Sequence, residues 1–139
     1  MNIGFLGLGK LGLPVSLAVE DKGHKVFGYD ISKQTIEDIK NRKIRYREEW
    51  VDKYLPNTKL EITNIDDLVK NSEIIFVPIQ TPHDPQYEGV TRIPDKRIDF
   101  DYTYLKSGIK DLSDSIEKNG EDKVVIIIST VLPGTLRSQ

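Results

Sequence analysis

The sequence has no cysteine, one tryptophan and only short apolar runs. Without cysteine the chain cannot form a disulfide or a thiolate metal site, and it cannot supply a thiolate nucleophile. The apolar runs are far shorter than the roughly 20 residues that span a bilayer, so we expect no membrane contact. The absence of cysteine agrees with a cytoplasmic location, although many secreted proteins also lack disulfides.

Neither sign of charge dominates, because the chain has 20 lysines and arginines and 22 aspartates and glutamates. This balance gives no whole-chain attraction to nucleic acid or to an anionic membrane. Residues 40–47 are a basic exception that Glu48 and Glu49 follow at once, and we interpret the run as a solvated helix end or loop. The length fits one domain with one core, and we expect no signal peptide because the first residues have strand-like composition.

What the chain does contain is a glycine-rich turn at Gly7, Gly9 and Gly12. Residues 1–6 and 24–29 have strand-like composition, and residues 10–22 have a helical apolar pattern with Pro14 in the first turn. In a dinucleotide-binding unit the three glycines permit the tight turn, the approach of the pyrophosphate and close helix packing, in that order. The alternative is a turn that merely reverses the chain. The surrounding strand, helix and strand favour a dinucleotide site.

Asp30 ends the second strand, roughly 20 residues after the glycines. Its carboxylate can accept hydrogen bonds from both ribose hydroxyls, whereas a 2′-phosphate would meet like charge, so we predict NAD rather than NADP. Lys33 complicates this choice, because a cation near the ribose partly offsets a 2′-phosphate. Asp30 is also a candidate N-cap for the helix that starts near Ser32, which does not exclude the ribose role.

The remaining pattern alternates helices with strands. Short apolar strands joined by helices predict an α/β, Rossmann-type, doubly wound and mainly parallel sheet with helices on both faces. A proline-rich, charged stretch over residues 78–100 predicts a long loop, which in a compact domain is functional or disordered. The predicted helices are 32–42, 47–54, 65–70 and 102–118, and the predicted strands are 59–63, 73–77 and 123–129.

Two polar segments follow apolar strands, at residues 77–82 (VPIQTP) and 129–135 (STVLPGT). Ligands bind at the carboxyl ends of the strands in such sheets, and hydroxyls with rigid proline turns suit a nicotinamide ribose. The local alternatives are that Thr81 caps a turn and that Ser129 and Thr130 are a satisfied strand-end pair. The candidate residues in these segments are Pro78, Gln80, Thr81, Ser129 and Thr130.

The two histidines do not have the spacing of a metal-binding motif. His83 with Asp84 and Asp95 places one histidine among scattered carboxylates in a loop, and we expect no metal site. His24 begins a strand and is interpreted as a packing residue on the solvent side.

Taken together, GLGKLG, YD, FVPIQTP and STVLPGT resemble the N-terminal domain of the UDP-glucose/GDP-mannose dehydrogenases over nearly the whole chain. The resemblance implies a Rossmann domain that binds NAD, followed by a linking helix and a C-terminal domain that binds the nucleotide sugar. It implies oxidation of the sugar C6 alcohol to a carboxylate in two hydride transfers, through a thiohemiacetal on a cysteine.

The same resemblance assigns roles to individual residues. Asp30, with Lys33 beside it, contacts the adenosine ribose. Thr81 and Thr130 lie by the nicotinamide, and Thr130 is an accessory catalytic residue that helps to hold a water. Thr35 stands where relatives often carry a basic residue, and residues 48–51 replace a Glu-Pro-Gly-Leu type segment. The residues assigned to the pyrophosphate are Gly7, Gly9, Lys10, Leu11 and Gly12.

A thiohemiacetal needs a thiolate, which this chain does not provide. We therefore interpret residues 1–139 as the NAD-binding domain of a larger nucleotide-sugar 6-dehydrogenase, similar to UDP-glucose 6-dehydrogenase, with the linking helix and sugar-nucleotide domain lying outside it. We expect a homodimer at full length and a monomer for the fragment. The alternatives are a 3-hydroxyacid or 6-phosphogluconate type dehydrogenase domain and a stand-alone nucleotide-binding module.

Overall fold

The computed structural model describes residues 1–90, 92 and 94–138. Thr91 and Ile93, within the predicted loop, and Gln139 lie outside the described residues. Helices and strands alternate in chain order as β1 Asn2–Leu6, α1 Gly12–Asp21, β2 Lys25–Tyr29, α2 Lys33–Lys40, α3 Glu49–Tyr54, β3 Glu61–Ile62, α4 Ile65–Asn71, β4 Ile74–Val77, α5 Thr103–Asn119, β5 Val124–Ile127 and α6 Thr135–Ser138. Short 3-10 turns occupy Leu55–Asn57 and Pro85–Tyr87.

The five strands form one parallel sheet in the order β3-β2-β1-β4-β5. Phe5 of β1 pairs with Gly28 on one side and Phe76 on the other. The chain therefore leaves β1 for β2 in one direction and later returns past it to β4 in the other. This reversal creates a crevice at the carboxyl ends of β1 and β4, where doubly wound sheets bind ligands. The predicted fold is confirmed.

Helices cover both faces of the sheet, and each face has its own apolar core. Leu13 and Leu17 of α1 pack with Phe5 on one face, together with side chains from α2 and α3. Leu68 of α4 and Leu112 of α5 pack on the other face. Alternate strand residues point to opposite faces, which explains how short apolar strands serve two cores. Each fully buried leucine contributes about 1.5–3 kcal/mol.

Helix ends follow local chemistry. Ser32 accepts a hydrogen bond at its Oγ from Thr35 N at 3.2 Å, and Asn64 accepts one at its side chain from Asp67 N at 2.8 Å. Gly120, with φ of 67°, ends α5 in the left-handed conformation. The cap of α2 is therefore Ser32 and not Asp30, the alternative that the sequence left open.

The largest departures from the predicted elements are at turns. α1 begins at Gly12 rather than at residue 10, because residues 7–11 are taken up by the glycine turn. β3 is only two residues long, and α6 is a four-residue helix with too little sequence for an apolar period to predict it. The connection from β4 to α5 is the long loop that the sequence predicted. None of the described helices is long and apolar enough to span a membrane.

Candidate functional site

The glycine turn connects β1 to α1 at the crevice. Gly7 has φ of +118°, which L side chains rarely adopt, and its N–H donates to Tyr29 O at 2.8 Å. A Cβ on Gly12 would lie 2.1 Å from Gly7 O and 2.8 Å from the Pro78 ring. A Cβ on Gly9 would meet nothing within 4 Å. Folding therefore requires glycine at 7 and 12, whereas Gly9 keeps open the space in front of the turn.

Asp30 is tied to this turn by its carboxylate. Leu8 N donates to Oδ2 at 2.7 Å, and Ser32 N donates to Oδ1 at 2.8 Å. The Leu8 side chain is buried over Gly28, where an added Cβ would lie 2.8 Å from Leu8 Cδ1. The carboxylate is thus fixed in place, and each oxygen keeps further acceptor capacity for a ligand hydroxyl. The ribose role of Asp30 remains a prediction.

The two lysines that are predicted to contact the cofactor lie on the surface. Lys10, in the turn, and Lys33, the first residue of α2, are both exposed. The Lys10 ammonium lies 6.0 Å from the centre of the Tyr46 ring, a contact that the sequence did not reveal. Leu11 is 47 % exposed, so it packs little against the domain.

Tyr46 brings the end of the basic run beside the glycine turn. Its hydroxyl is buried and has no hydrogen-bond partner among the described residues. Burial, and to a lesser extent the nearby Glu48 carboxylate, raises the pKa of Tyr46 above its usual value.

The basic run itself is held by contacts with its own domain. Arg45 Nε pairs with Asp38 at 2.9 Å, and Arg42 donates to Leu55 O at 3.4 Å. Part of the basic run is thus bound to its own domain rather than wholly solvated.

The ends of β4 and β5 meet at the same edge of the sheet. Thr81 Oγ1 donates to Thr130 O at 2.7 Å, which joins the two predicted segments directly. Ser129 Oγ donates to Val77 O at 3.0 Å, so its hydroxyl is satisfied at the strand end. Gln80 and Thr130 are exposed. We call residues 78–82 and 129–135 together the strand-end rim.

Pro78 links the strand-end rim to the glycine turn. A Cβ added to Gly7 would lie 3.5 Å from the Pro78 ring and 3.5 Å from the Pro78 carbonyl oxygen. The structure therefore places the turn, Asp30 and the rim along one edge of the sheet. Their individual contacts with a cofactor remain predictions.

A hydrogen-bond network around a buried tyrosine lies behind the rim, and it was not predicted from the sequence. The buried Tyr102 hydroxyl donates to Asp99 Oδ1 at 2.6 Å and accepts from Leu132 N at 3.2 Å. It also lies 3.4 Å from Thr135 Oγ1. The available signal was an aromatic residue with a polar end just before an apolar helix, since such residues find a partner when buried.

No metal centre is formed by the part of the chain that the structure describes. Residues 1–90, 92 and 94–138 contain no group of three or more histidine, aspartate or glutamate side chains that could hold an ion. His24 is half-buried at the start of β2, in a groove beside Val19 and Trp50.

Comparison with known proteins identifies one family over residues 1–139, described as the UDP-glucose/GDP-mannose dehydrogenase family, NAD binding domain. A UDP-N-acetyl-D-mannosamine dehydrogenase from Pyrococcus horikoshii is 30 % identical over 139 residues, covering 97 % of this chain and 30 % of that protein. A UDP-glucose 6-dehydrogenase from Rickettsia bellii is 29 % identical over 140 residues, covering 97 % of this chain and 29 % of that protein.

A solved structure agrees with these sequence relatives. The ternary complex of a GDP-mannose dehydrogenase from Pseudomonas aeruginosa superimposes with a TM-score of 0.80 at 25 % identity, covering 99 % of this chain and 30 % of that one. The chain thus spans about 30 % of the length of these relatives. The open glycine turn and the fixed Asp30 carboxylate fit a dinucleotide, and the cofactor of the matched domain is NAD. The chain belongs to the UDP-glucose/GDP-mannose dehydrogenase family and corresponds to its NAD-binding domain.

Proposed function

We propose that residues 1–139 are the cofactor domain of an NAD-dependent nucleotide-sugar 6-dehydrogenase, with UDP-glucose as the substrate to test first. The longer enzyme oxidises the sugar C6 alcohol to a carboxylate with two NAD. The observation that supports this most is the joining of both strand-end segments by the Thr81–Thr130 hydrogen bond, beside a glycine turn with open space at Gly9.

The glycine turn holds the pyrophosphate. The amino end of α1 adds free N–H donors and the positive end of its dipole, both of which favour anions. The open space at Gly9 supports this role, because a side chain there would occupy the volume needed by the phosphates. Lys10 supplies a cation at the mouth of the turn. The pyrophosphate residues are Gly7, Gly9, Lys10, Leu11 and Gly12.

Asp30 selects NAD over NADP. Its two oxygens already accept from Leu8 N and Ser32 N, so the carboxylate is oriented before the cofactor arrives. It accepts hydrogen bonds from the ribose hydroxyls and repels a 2′-phosphate, while Lys33 stands at the same end of the site.

The strand-end rim holds the nicotinamide end, through Pro78, Gln80, Thr81 and Ser129. Bound NAD supplies the hydride acceptor. Thr81 fixes the backbone of Thr130 by its hydrogen bond, and this leaves the exposed Thr130 hydroxyl available to orient a water. Thr130 thereby acts as the accessory catalytic residue of this domain.

The nucleophile and the sugar-nucleotide domain come from outside residues 1–139. A thiohemiacetal needs a thiolate, and the chain has no cysteine. The coverage of about 30 % of its relatives' length supports a longer protein, with a linking helix and a second domain. We infer a cytoplasmic enzyme that is a homodimer at full length, and a monomer when only residues 1–139 are present.

The test is turnover by the longer protein. NADH production should follow addition of UDP-glucose, with two NADH formed for each sugar oxidised. UDP-N-acetylmannosamine and GDP-mannose are assayed in parallel, because relatives acting on both types of nucleotide sugar match this chain. Turnover with 6-phosphogluconate or a 3-hydroxyacid instead would overturn the proposal, as would tight NAD binding without a downstream dehydrogenase domain.

A further inference from the structure

A buried hydroxyl holds the strand-end rim from behind. It belongs to Tyr102, which directly precedes α5 and is only 7 % exposed. One residue earlier, Asp101 N donates to Pro82 O at 2.7 Å, and this fixes the start of α5 to the first segment of the rim. The Tyr102 hydroxyl contacts the second segment, because it accepts from Leu132 N at 3.2 Å. Tyr102 therefore connects the two segments of the rim.

A carboxylate sets the direction of these hydrogen bonds. A tyrosine hydroxyl has one proton, and Tyr102 donates it to Asp99 Oδ1 at 2.6 Å. The hydroxyl oxygen is thereby left as an acceptor, which is what the Leu132 N–H requires. A hydrogen bond to an ionised group is stronger than a neutral one, and hydrogen bonds in a chain polarise one another. Asp99 thus orients the hydroxyl, and the end of the long loop takes part in holding the rim.

The contact with Leu132 lies close to the hydroxyl that is proposed to orient a water. Thr81 holds the carbonyl oxygen of Thr130, and Tyr102 holds the N–H of Leu132. A single residue separates these two points, so the two contacts fix the backbone on either side of it. The Thr130 side chain is exposed, and its position therefore depends on this backbone rather than on packing.

We propose that Tyr102 is a positioning residue for the dehydrogenase reaction. Its hydroxyl holds the backbone that places the Thr130 hydroxyl beside the nicotinamide, and it acts without touching the cofactor or the substrate. The inference rests on the proposed function, in which Thr130 orients a water next to bound NAD. It also gives the long loop a part in the reaction, because the loop supplies the carboxylate of Asp99.

Amide NMR on the 139-residue chain tests the contact and its effect on the site. Tyr102→Phe keeps the buried ring and removes only the hydroxyl, so the Leu132 amide should exchange with solvent about tenfold faster. ADP-ribose, which lacks the nicotinamide, is the reference for NAD. In the unmodified chain the Thr130 amide should shift with NAD and not with ADP-ribose. In Tyr102→Phe this NAD-specific shift should shrink, while NAD affinity should stay within about threefold.

Turnover by the longer enzyme separates positioning from simple support of the fold. Tyr102→Phe should lower kcat about tenfold and change KM for NAD less than about twofold, because the hydroxyl acts on the reacting end and not on the phosphates. In a double-mutant cycle with Thr81→Val, the second change should cost less than it does alone, since both hydroxyls hold the same stretch of backbone.

Tyr104→Phe is the matched control, since Tyr104 is a 53 % exposed tyrosine in the first turn of the same helix. It removes the same group and should leave amide exchange, the NAD-specific shift and kcat unchanged. If Tyr102→Phe fails to fold, Asp99→Ala takes its place, because Asp99 is exposed and its loss frees the tyrosine hydroxyl. Asp99→Ala should produce the same changes as Tyr102→Phe, to a smaller extent.

The positioning role and the proposed function fail in different ways. Unchanged exchange at Leu132, an unchanged NAD-specific shift at Thr130, a rise in KM for NAD as large as the fall in kcat, or additive effects in the cycle would overturn the positioning role. The proposed function would fail in the unmodified chain itself, through absence of NAD binding or through equal Thr130 shifts with NAD and ADP-ribose.

Discussion

The two halves of the candidate site are held together by different forces. At the glycine turn the backbone itself sets the structure, through the positive φ of Gly7 and the closeness of Gly12 to Gly7 O. At the strand-end rim side chains do so, through single hydrogen bonds such as the one from Thr81 to Thr130 O. A Cβ at position 12 would lie 2.1 Å from Gly7 O, which the backbone cannot accommodate without moving. Each hydrogen bond of the rim contributes only about 0.5–1.5 kcal/mol. We therefore expect the glycine turn, the proposed phosphate end, to be rigid and the strand-end rim, the proposed reactive end, to be adjustable.

The largest effect is expected from Gly12→Ala. The new Cβ would lie 2.1 Å from Gly7 O, and backbone atoms cannot rotate away as a side chain would. We expect a loss of unfolding free energy of about 3 kcal/mol or more, at the upper end of overpacking effects. Urea denaturation followed by circular dichroism measures it. Gly9→Ala is the control, and a stability for Gly12→Ala within about 0.5 kcal/mol of that control would contradict rigidity at the turn.

Gly9→Val separates folding from binding at the same turn. A Cβ at this position meets nothing within 4 Å, so stability should change by about 0.5 kcal/mol or less. The valine fills the space proposed for the pyrophosphate, and NAD affinity should fall at least about 100-fold, equivalent to about 2.7 kcal/mol. Calorimetric titration with NAD is the measurement. Unchanged affinity in a folded variant would refute the assignment of the turn.

Asp30→Ala should affect both stability and cofactor choice. The substitution leaves Leu8 N and Ser32 N without their carboxylate acceptor, at a cost of about 1.5–3 kcal/mol. NAD affinity should fall about tenfold, and the preference for NAD over NADP should narrow because the like charge is gone. Glu37→Ala, at an exposed position of α2, is the control for loss of an acid. Equal affinities of the unmodified chain for NAD and NADP would refute the selectivity role.

The sequence predicted the glycine turn because its requirements are local: a strand, three spaced glycines and a helix suffice to define it. It did not predict the Tyr102 network, since Asp99, Leu132 and Thr135 meet that hydroxyl only after the sheet has formed. The sequence left Asp30 open as an N-cap of α2, since aspartate caps helices well. In the structure Ser32 is the cap, while the Asp30 carboxylate accepts from Leu8 N, which comes from another part of the chain.

Thr81→Val measures how weakly the rim is held. The substitution conserves shape and removes the hydrogen bond to Thr130 O, with an expected loss of about 0.5–1 kcal/mol in unfolding free energy. NAD affinity of the 139-residue chain should fall less than about threefold, because the contacts proposed for the phosphates lie at the glycine turn. In the longer enzyme the same change should lower kcat more than it raises KM, since Thr130 loses its fixed backbone. Thr81→Ser keeps the hydroxyl and should restore turnover. If Thr81→Val destabilised the chain as strongly as Gly12→Ala, the reactive end would be as rigid as the turn, and the contrast between the two regions would fail.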